Sequence, residues 1–199
     1  MAFDSWALGR DGKPDEKSLN FTFNTLQDWT LRPEDGMKYY SGTAVYRKTF
    51  DAPKYINKNS YIDLGEINNV AQVSINGKNL GIIWTVPHRL LIPPGLLKVE
   101  KNELEIRVAN SWANRMIGDE QEPDDLNFVP SPRPDRGTGY RKDILGKVMK
   151  DLPDWVINNT ERPSKNRRTF TIWGYYDKDA PLLPSGLLGP VRIVSSKKL

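Results

Sequence analysis

Apolar and polar residues alternate with a period of two along much of the chain, and that period predicts strands. The segment 102–110 is the clearest case. Leu104, Ile106 and Val108 fall on one face, and Glu103, Glu105 and Arg107 on the other. A strand is predicted at 42–50, rich in Thr, Val, Tyr and Phe and stopped by Pro53. Another is predicted at 61–67, with Ile62 and Leu64 sharing a face. Shorter strands are predicted at 19–25, 169–173 and 190–194. Between them Asn76-Gly77 marks a tight hairpin, because both residues tolerate the positive φ of a two-residue type I′ turn. Folding the chain there sets Ile75 against Lys78, Val73 against Leu80 and Ala71 against Ile82. This register places Trp84 with Leu80 and Ile82 on the core side. Strands with one apolar and one polar face belong in antiparallel sheets, and many short strands with few helices imply an all-β sandwich.

One region departs from the strand period. Residues 120–165 are proline-rich and contain the loop Arg136-Gly-Thr-Gly-Tyr140. Within it Ile144, Leu145, Val148, Met149 and Leu152 recur at helical spacing up to Pro153, which predicts one short amphipathic helix. The expected organisation is one domain, 1–199, with 120–165 as a loop-rich excursion.

Composition narrows the chemistry. The 199 residues include 20 aromatics (six Trp, eight Tyr and six Phe), enough large apolar area to anchor one core. The absence of cysteine excludes disulfides, thiolate metal sites and cysteine nucleophiles. No run approaches the ~20 apolar residues of a membrane-spanning helix, and the first residues lack a signal-peptide pattern. The formal charge is +4, but 29 basic residues are interspersed with 25 acidic ones. The cluster at 165–168 (Lys165, Arg167, Arg168) and the Lys197-Lys198 tail read as solvated surface. No aromatic-interleaved basic stripe supports nucleic-acid binding.

Catalytic patterns are missing. The one histidine, His88, cannot build a multi-histidine metal site, and no Gly-x-Ser-x-Gly elbow is present. Carboxylate pairs for glycoside hydrolysis, such as Asp63 with Glu66 or Asp119 with Glu120, have little specificity in a chain with 25 acidic residues. No loop has a diagnostic calcium spacing. The expectation is no catalytic residue, no metal site and no cofactor, a structural calcium ion being open but unsupported.

Two clusters concentrate the residue types that bind sugars, aromatic faces for the C–H side of the ring and amides, carboxylates and guanidinium groups for the hydroxyls. The first is Asn110, Trp112, Asn114, Arg115 and Asp119. The second is Trp173, Tyr175 and Tyr176. A structural reading stands beside this one: Arg115 and Asp119 would pair to pin a loop, and Trp112 would plug the end of the sandwich.

The segments 42–50, 61–65 and 73–77, with Leu80-Gly81 and Trp84, resemble the sugar-binding jelly roll of family 2 glycoside hydrolases, a galactose-binding-domain-like fold. Asn110-Ser-Trp-Ala-Asn-Arg-Met-Ile-Gly-Asp119, Leu152-Pro-Asp-Trp155 and the segment 181–191 resemble the C-terminal β-sandwich of large bacterial α-L-rhamnosidase-type enzymes, family 106 and relatives. The resemblance implies a non-catalytic, carbohydrate-associated accessory module. Its partner would be carbohydrate or a neighbouring catalytic domain of the same parent chain, in the periplasm or outside the cell. The alternative is a stand-alone lectin-like protein. Neither reading involves nucleic acid or a membrane.

Overall fold

The structure is a computed structural model. It describes residues 25–52, 60–130 and 147–195, together with the backbone of four two-residue strands nearer the N-terminus. The chain divides into two compact units, one formed by residues 1–111 with 184–199 and the other by 112–183.

In chain order the first unit has strands β1 (Ala2–Phe3), β2 (Ala7–Leu8), β3 (Pro14–Asp15), β4 (Phe21–Thr22), β5 (Thr43–Phe50) and β6 (Ser60–Asp63). They continue with β7 (Glu66–Asn68), β8 (Val70–Ile75), β9 (Lys78–Ile83), β10 (Arg89–Leu91) and β11 (Asn102–Ala109). The second unit holds helix α2 (Ala113–Asp119), strands β12 (Phe128–Pro130) and β13 (Lys147–Met149), helix α3 (Asp154–Ile157) and strand β14 (Trp173–Gly174). The chain then returns to the first unit with β15 (Gly186–Gly189) and β16 (Arg192–Ser195). A short helix, α1 (Asp35–Lys38), precedes β5.

The first unit is the antiparallel β-sandwich that the alternation predicts. One sheet runs β4-β1-β5-β11-β8-β9 and another β10-β6-β16, with smaller pairs β15-β7 and β2-β3. The inward residues of both larger sheets share one core, in which Tyr46, Ile62, Leu64, Ala71, Val73, Ile75, Ile106 and Val108 are buried. Each aliphatic side chain taken fully out of water there contributes about 1.5–3 kcal/mol, so the core dominates the stability of the unit. Trp29 closes it beside Tyr40, edge to face at 5.5 Å. The indole Nε1–H of Trp29 donates to the Tyr46 hydroxyl at 2.6 Å, and the Leu187 amide donates to the same oxygen at 3.1 Å. Burial pushes the Tyr46 phenol up to about 12 against these two bonds, which favour its ionised form.

The hairpin forms at Asn76-Gly77, with φ of 51° and 78° as the turn requires. Its register departs from expectation. Ile75 faces Lys78 and Ser74 faces Asn79, but a bulge at Leu80 then sets Val73 against Gly81, Gln72 against Ile82 and Ala71 against Ile83. One extra residue inverts the facing of everything beyond it. Ile83 is buried, Ile82 is 61% exposed, and Trp84 is 71% exposed instead of belonging to the core.

The helix expected across 144–152 is also corrected. Lys147–Met149 is a strand, in which Val148 pairs with Val129 on one side and Trp173 on the other. Apolar spacing in so short a run fits either element, and here two flanking strands supply the pairing. Pro153 precedes helix α3 instead of ending a helix, consistent with its fixed φ and missing N–H. Ile144, Leu145 and the 136–140 loop lie outside the described residues. The strand expected at 169–173 narrows to Trp173–Gly174. No helix among the described residues is long and apolar enough to cross a membrane.

Candidate functional site

Asn110 directly follows β11 in the first unit. Its Oδ1 accepts from the Gly42 amide at 2.9 Å, while Nδ2 donates to the Tyr40 carbonyl at 2.7 Å and to Ser185 Oγ at 3.2 Å. The carboxamide thus stitches three chain segments together at the end of the sheet.

The remaining candidates lie in the second unit, on α2 and around β14. Trp112 precedes the helix with its indole 70% exposed. Asn114 is buried, and its amide clasps Leu183 from both sides. Nδ2 donates to the Leu183 carbonyl at 2.7 Å, and Oδ1 accepts from the Leu183 amide at 2.8 Å. Arg115 donates through Nε to Asp119 Oδ1 at 2.9 Å, one helical turn along. The other oxygen of Asp119 accepts from the Arg168 amide at 2.9 Å and from the amide and hydroxyl of Thr169, both at 2.6 Å. The Asp119 charge is therefore buried but matched by a cation and three further donors.

Sequence reading missed two arginines that organise this unit. Arg167, assigned to a solvated cluster, is buried. Its guanidinium reaches the Pro123 carbonyl at 2.9 Å, Glu120 at 2.9 Å, the Glu122 carbonyl at 2.9 Å and Asp124 at 2.8 Å. Arg162 pairs with Asp125, donates to the Thr169 carbonyl at 2.8 Å and lies 5.3 Å from the Trp155 ring centre. The acidic run 119–125 is folded around internal arginines. Its density of Asp and Glu, set against only a few downstream Arg, was the available signal.

Tyr175 and Tyr176 border a space of about 20 Å³ with Met116, Phe128, Arg167 and Thr171, room for about one water molecule. Tyr175 is 40% exposed. Trp173 contributes its backbone to β14, opposite Val148. The structure thus keeps the Asn114 amide, Arg115 Nε and both Asp119 oxygens in internal bonds and leaves Trp112 and Tyr175 exposed.

Of the carboxylates weighed as acid pairs, Asp63, Asp119 and Glu120 are engaged, while Glu66 is exposed. Asp63 accepts from the Gly65 amide at 2.9 Å and from Arg89 Nε at 2.8 Å. The Gly65 bond, reinforced by Arg89 against partial burial, holds its carboxyl below the usual range. Asp119 and Glu120 each carry an arginine. His88 bonds the Gly65 carbonyl through Nδ1 at 2.7 Å, which requires that nitrogen to carry the proton. Among the described residues no group of three or more His, Asp or Glu is placed to hold a metal ion.

A larger cavity, about 650 Å³, lies within the first unit and is lined by Leu26, Tyr46, Phe50, Ile62, Leu104 and Ile106 among others. The size suits a small molecule, and the apolar lining is joined by the charged side chains Arg47, Lys48, Asp51 and Arg192, with no Asn or Gln among the lining residues.

No family model matches the chain. It is 42% identical over 174 residues to a protein of Formosa agariphila named "Putative beta-glucuronidase", a match covering 86% of this chain and 13% of that protein. The rhamnosidase of Novosphingobium sp. PP1Y has a similar structure, with a TM-score of 0.62 and 30% identity over 96% of this chain and 14% of that one. The chain spans only a small part of the length of either. It is similar, over nearly all of its own length, to one segment of much longer glycosidase chains.

Proposed function

We propose that this chain is a non-catalytic, carbohydrate-associated β-sandwich module of an α-L-rhamnosidase-like glycoside hydrolase, supporting a catalytic domain carried elsewhere in the parent polypeptide. The observation that carries the reading is the asymmetry of coverage. Relatives match 86% and 96% of this chain, while the matched segments are 13% and 14% of theirs. Asp63 agrees with it, since an ion-paired acid held below its usual pKa is a poor proton donor at neutral pH. On this reading the parent enzyme would work in the periplasm or outside the cell. The test compares the chain alone with its longer natural polypeptide on aryl α-L-rhamnosides. The longer protein is expected to hydrolyse them and the purified chain to be inert. Turnover by the chain itself, abolished by replacing a single carboxylate, would refute the proposal.

The exposed Trp112 supports a second reading, a lectin-like module that contacts sugar directly through Trp112 and Tyr175 with the neighbouring polar residues. It requires measurable affinity of the isolated chain for a glycan, lost in a folded Trp112→Ala variant.

A further inference from the structure

The bulge at Leu80 turns Ile82 away from the core, and large apolar residues just beyond the strand are exposed too. Ile82 is 61% exposed, Trp84 71% and Val86 80%. Val70 is exposed as well and shares the outer face of the sheet with Ile82, since Ala71 and Ile83, their partners in alternation, are both buried. Strand β9 is the edge of the six-stranded sheet, so this strip lies where nothing within that sheet continues it. On the same face Gln72 lies opposite Ile82 and, one strand further in, Arg107 bonds Glu105 at 2.8 Å.

An apolar centre containing a tryptophan, rimmed by polar and charged groups, is the anatomy of a protein interface. Bare apolar strips on an edge strand invite aggregation, so a folded domain that keeps one has a use for it.

We infer that Val70, Ile82, Trp84 and Val86 form the surface by which the sandwich docks onto a neighbouring domain of the parent chain, whose face offers an apolar pocket for the indole. This rests on the accessory-module reading above. The occupant follows from the relatives, in which the matched segment is 13% and 14% of the polypeptide, so that most of the chain is available to cover the strip.

Oxidative footprinting at Trp84, read by mass spectrometry, tests this on the isolated chain and on the longer natural polypeptide. The expected result is oxidation slower by about tenfold in the longer protein, as for a residue moved from solvent into an interface core. The double variant Ile82→Ser, Trp84→Ser should leave the melting temperature of the isolated chain unchanged. In the longer protein it should uncouple the melting of the sandwich from that of the rest. If the natural reading frame encodes no further domain, the accessory-module reading and this inference fall together. If further domains are present and Trp84 is oxidised equally in both proteins, this inference alone falls. Protection of Trp84 in the isolated chain by rhamno-oligosaccharides, or by self-association seen in sedimentation, would likewise overturn it in favour of a saccharide or a second copy.

Discussion

The Asn79 side chain accepts a hydrogen bond from the Gly81 amide at 2.9 Å, spanning the bulged residue Leu80. This one contact stands at the point where the facing of β9 reverses. Gly81 has φ of 129°, a conformation that side-chain-bearing residues rarely adopt, while the nearest atom to an added Cβ is Leu90 Cδ2 at 3.5 Å. The constraint is therefore conformational and not steric. Gly81→Ala is expected to destabilise the chain by about 1–3 kcal/mol, and Asn79→Ala by about 1 kcal/mol. Urea unfolding of both variants gives the numbers. An unchanged midpoint for Gly81→Ala would show that the bulge is not held by that backbone geometry.

Asn102 calls for a larger effect. It is fully buried, accepts through Oδ1 from Asn76 Nδ2 at 2.9 Å and from the Lys98 amide at 2.8 Å, and donates to the Lys98 carbonyl at 2.8 Å. Asn76 in turn donates to the Leu96 carbonyl at 2.9 Å and accepts from the Glu103 amide at 3.0 Å. The hairpin turn is thereby tied to the start of β11. Asn102→Ala leaves buried donors without partners and is expected to cost about 2–3 kcal/mol. The loss should appear as a lower midpoint with an unchanged denaturant slope.

These two residues mark how far the sequence alone could be read. The alternation of Leu104, Ile106 and Val108 predicted their burial, and the Asn76-Gly77 dipeptide predicted the turn, because both signals are local. The bulge was not legible, since Asn79-Leu80-Gly81 fits unbroken alternation equally well and only the glycine hints otherwise. That single residue moved Trp84 from the expected core to the surface. The same limit applies in the second unit. Asn114 and Asp119 were recognised as polar residues worth attention, and the pairing of Arg115 with Asp119 four residues on was legible, but the partners Leu183, Arg168 and Thr169 are 49 to 69 residues away in sequence. Local pattern carries no information about such contacts. Val148 illustrates the opposite error, where an apolar spacing of helical type was outvoted by two neighbouring strands.

Gly186 should be among the least replaceable positions. A Cβ there would lie 2.3 Å from Nε1 of Trp29, and φ is 102°. The indole cannot retreat without breaking its bond to Tyr46. Gly186→Ala is expected to destabilise by about 3 kcal/mol or more, and the near-ultraviolet circular dichroism of the packed indole should weaken in parallel. Gly77→Ala is the control. It also has positive φ, but nothing lies within 4 Å of the added atom, so only the smaller conformational cost remains.

Acid should destabilise the sandwich through Asp63. Its carboxyl is held below the usual value by the Gly65 amide and Arg89, so near its titration the unfolded chain binds more protons than the folded one. The stabilisation is full above the unfolded pKa, about 4, and is lost as pH falls through the lower folded value. Glu105 acts in the same direction, because Arg107 and Arg47 outweigh its partial burial. The melting temperature measured from pH 6 downward should fall below about pH 4, and Asp63→Asn should flatten that fall. A variant with the same acid dependence as the parent would exclude Asp63 as a contributor.

The second unit offers a way to separate scaffold from ligand contact. Asp119 receives Arg115 and three donors from Arg168 and Thr169, and it is almost wholly buried. Asp119→Asn replaces one acceptor oxygen by an amide and removes the charge that matches Arg115. The expected loss is about 3 kcal/mol or more, with or without any sugar present. Trp112 is 70% exposed, so Trp112→Ala removes little buried area and should leave stability within about 0.5 kcal/mol. Calorimetric titration with rhamnose- and galactose-containing glycans then becomes interpretable for Trp112→Ala, because that variant keeps its fold. If the parent chain binds a glycan and Trp112→Ala does not, the exposed indole is a sugar platform. If neither binds, the cluster following β11 serves to join the acidic run, the 168–169 backbone and Leu183 into one folded unit, and the architectural role stands.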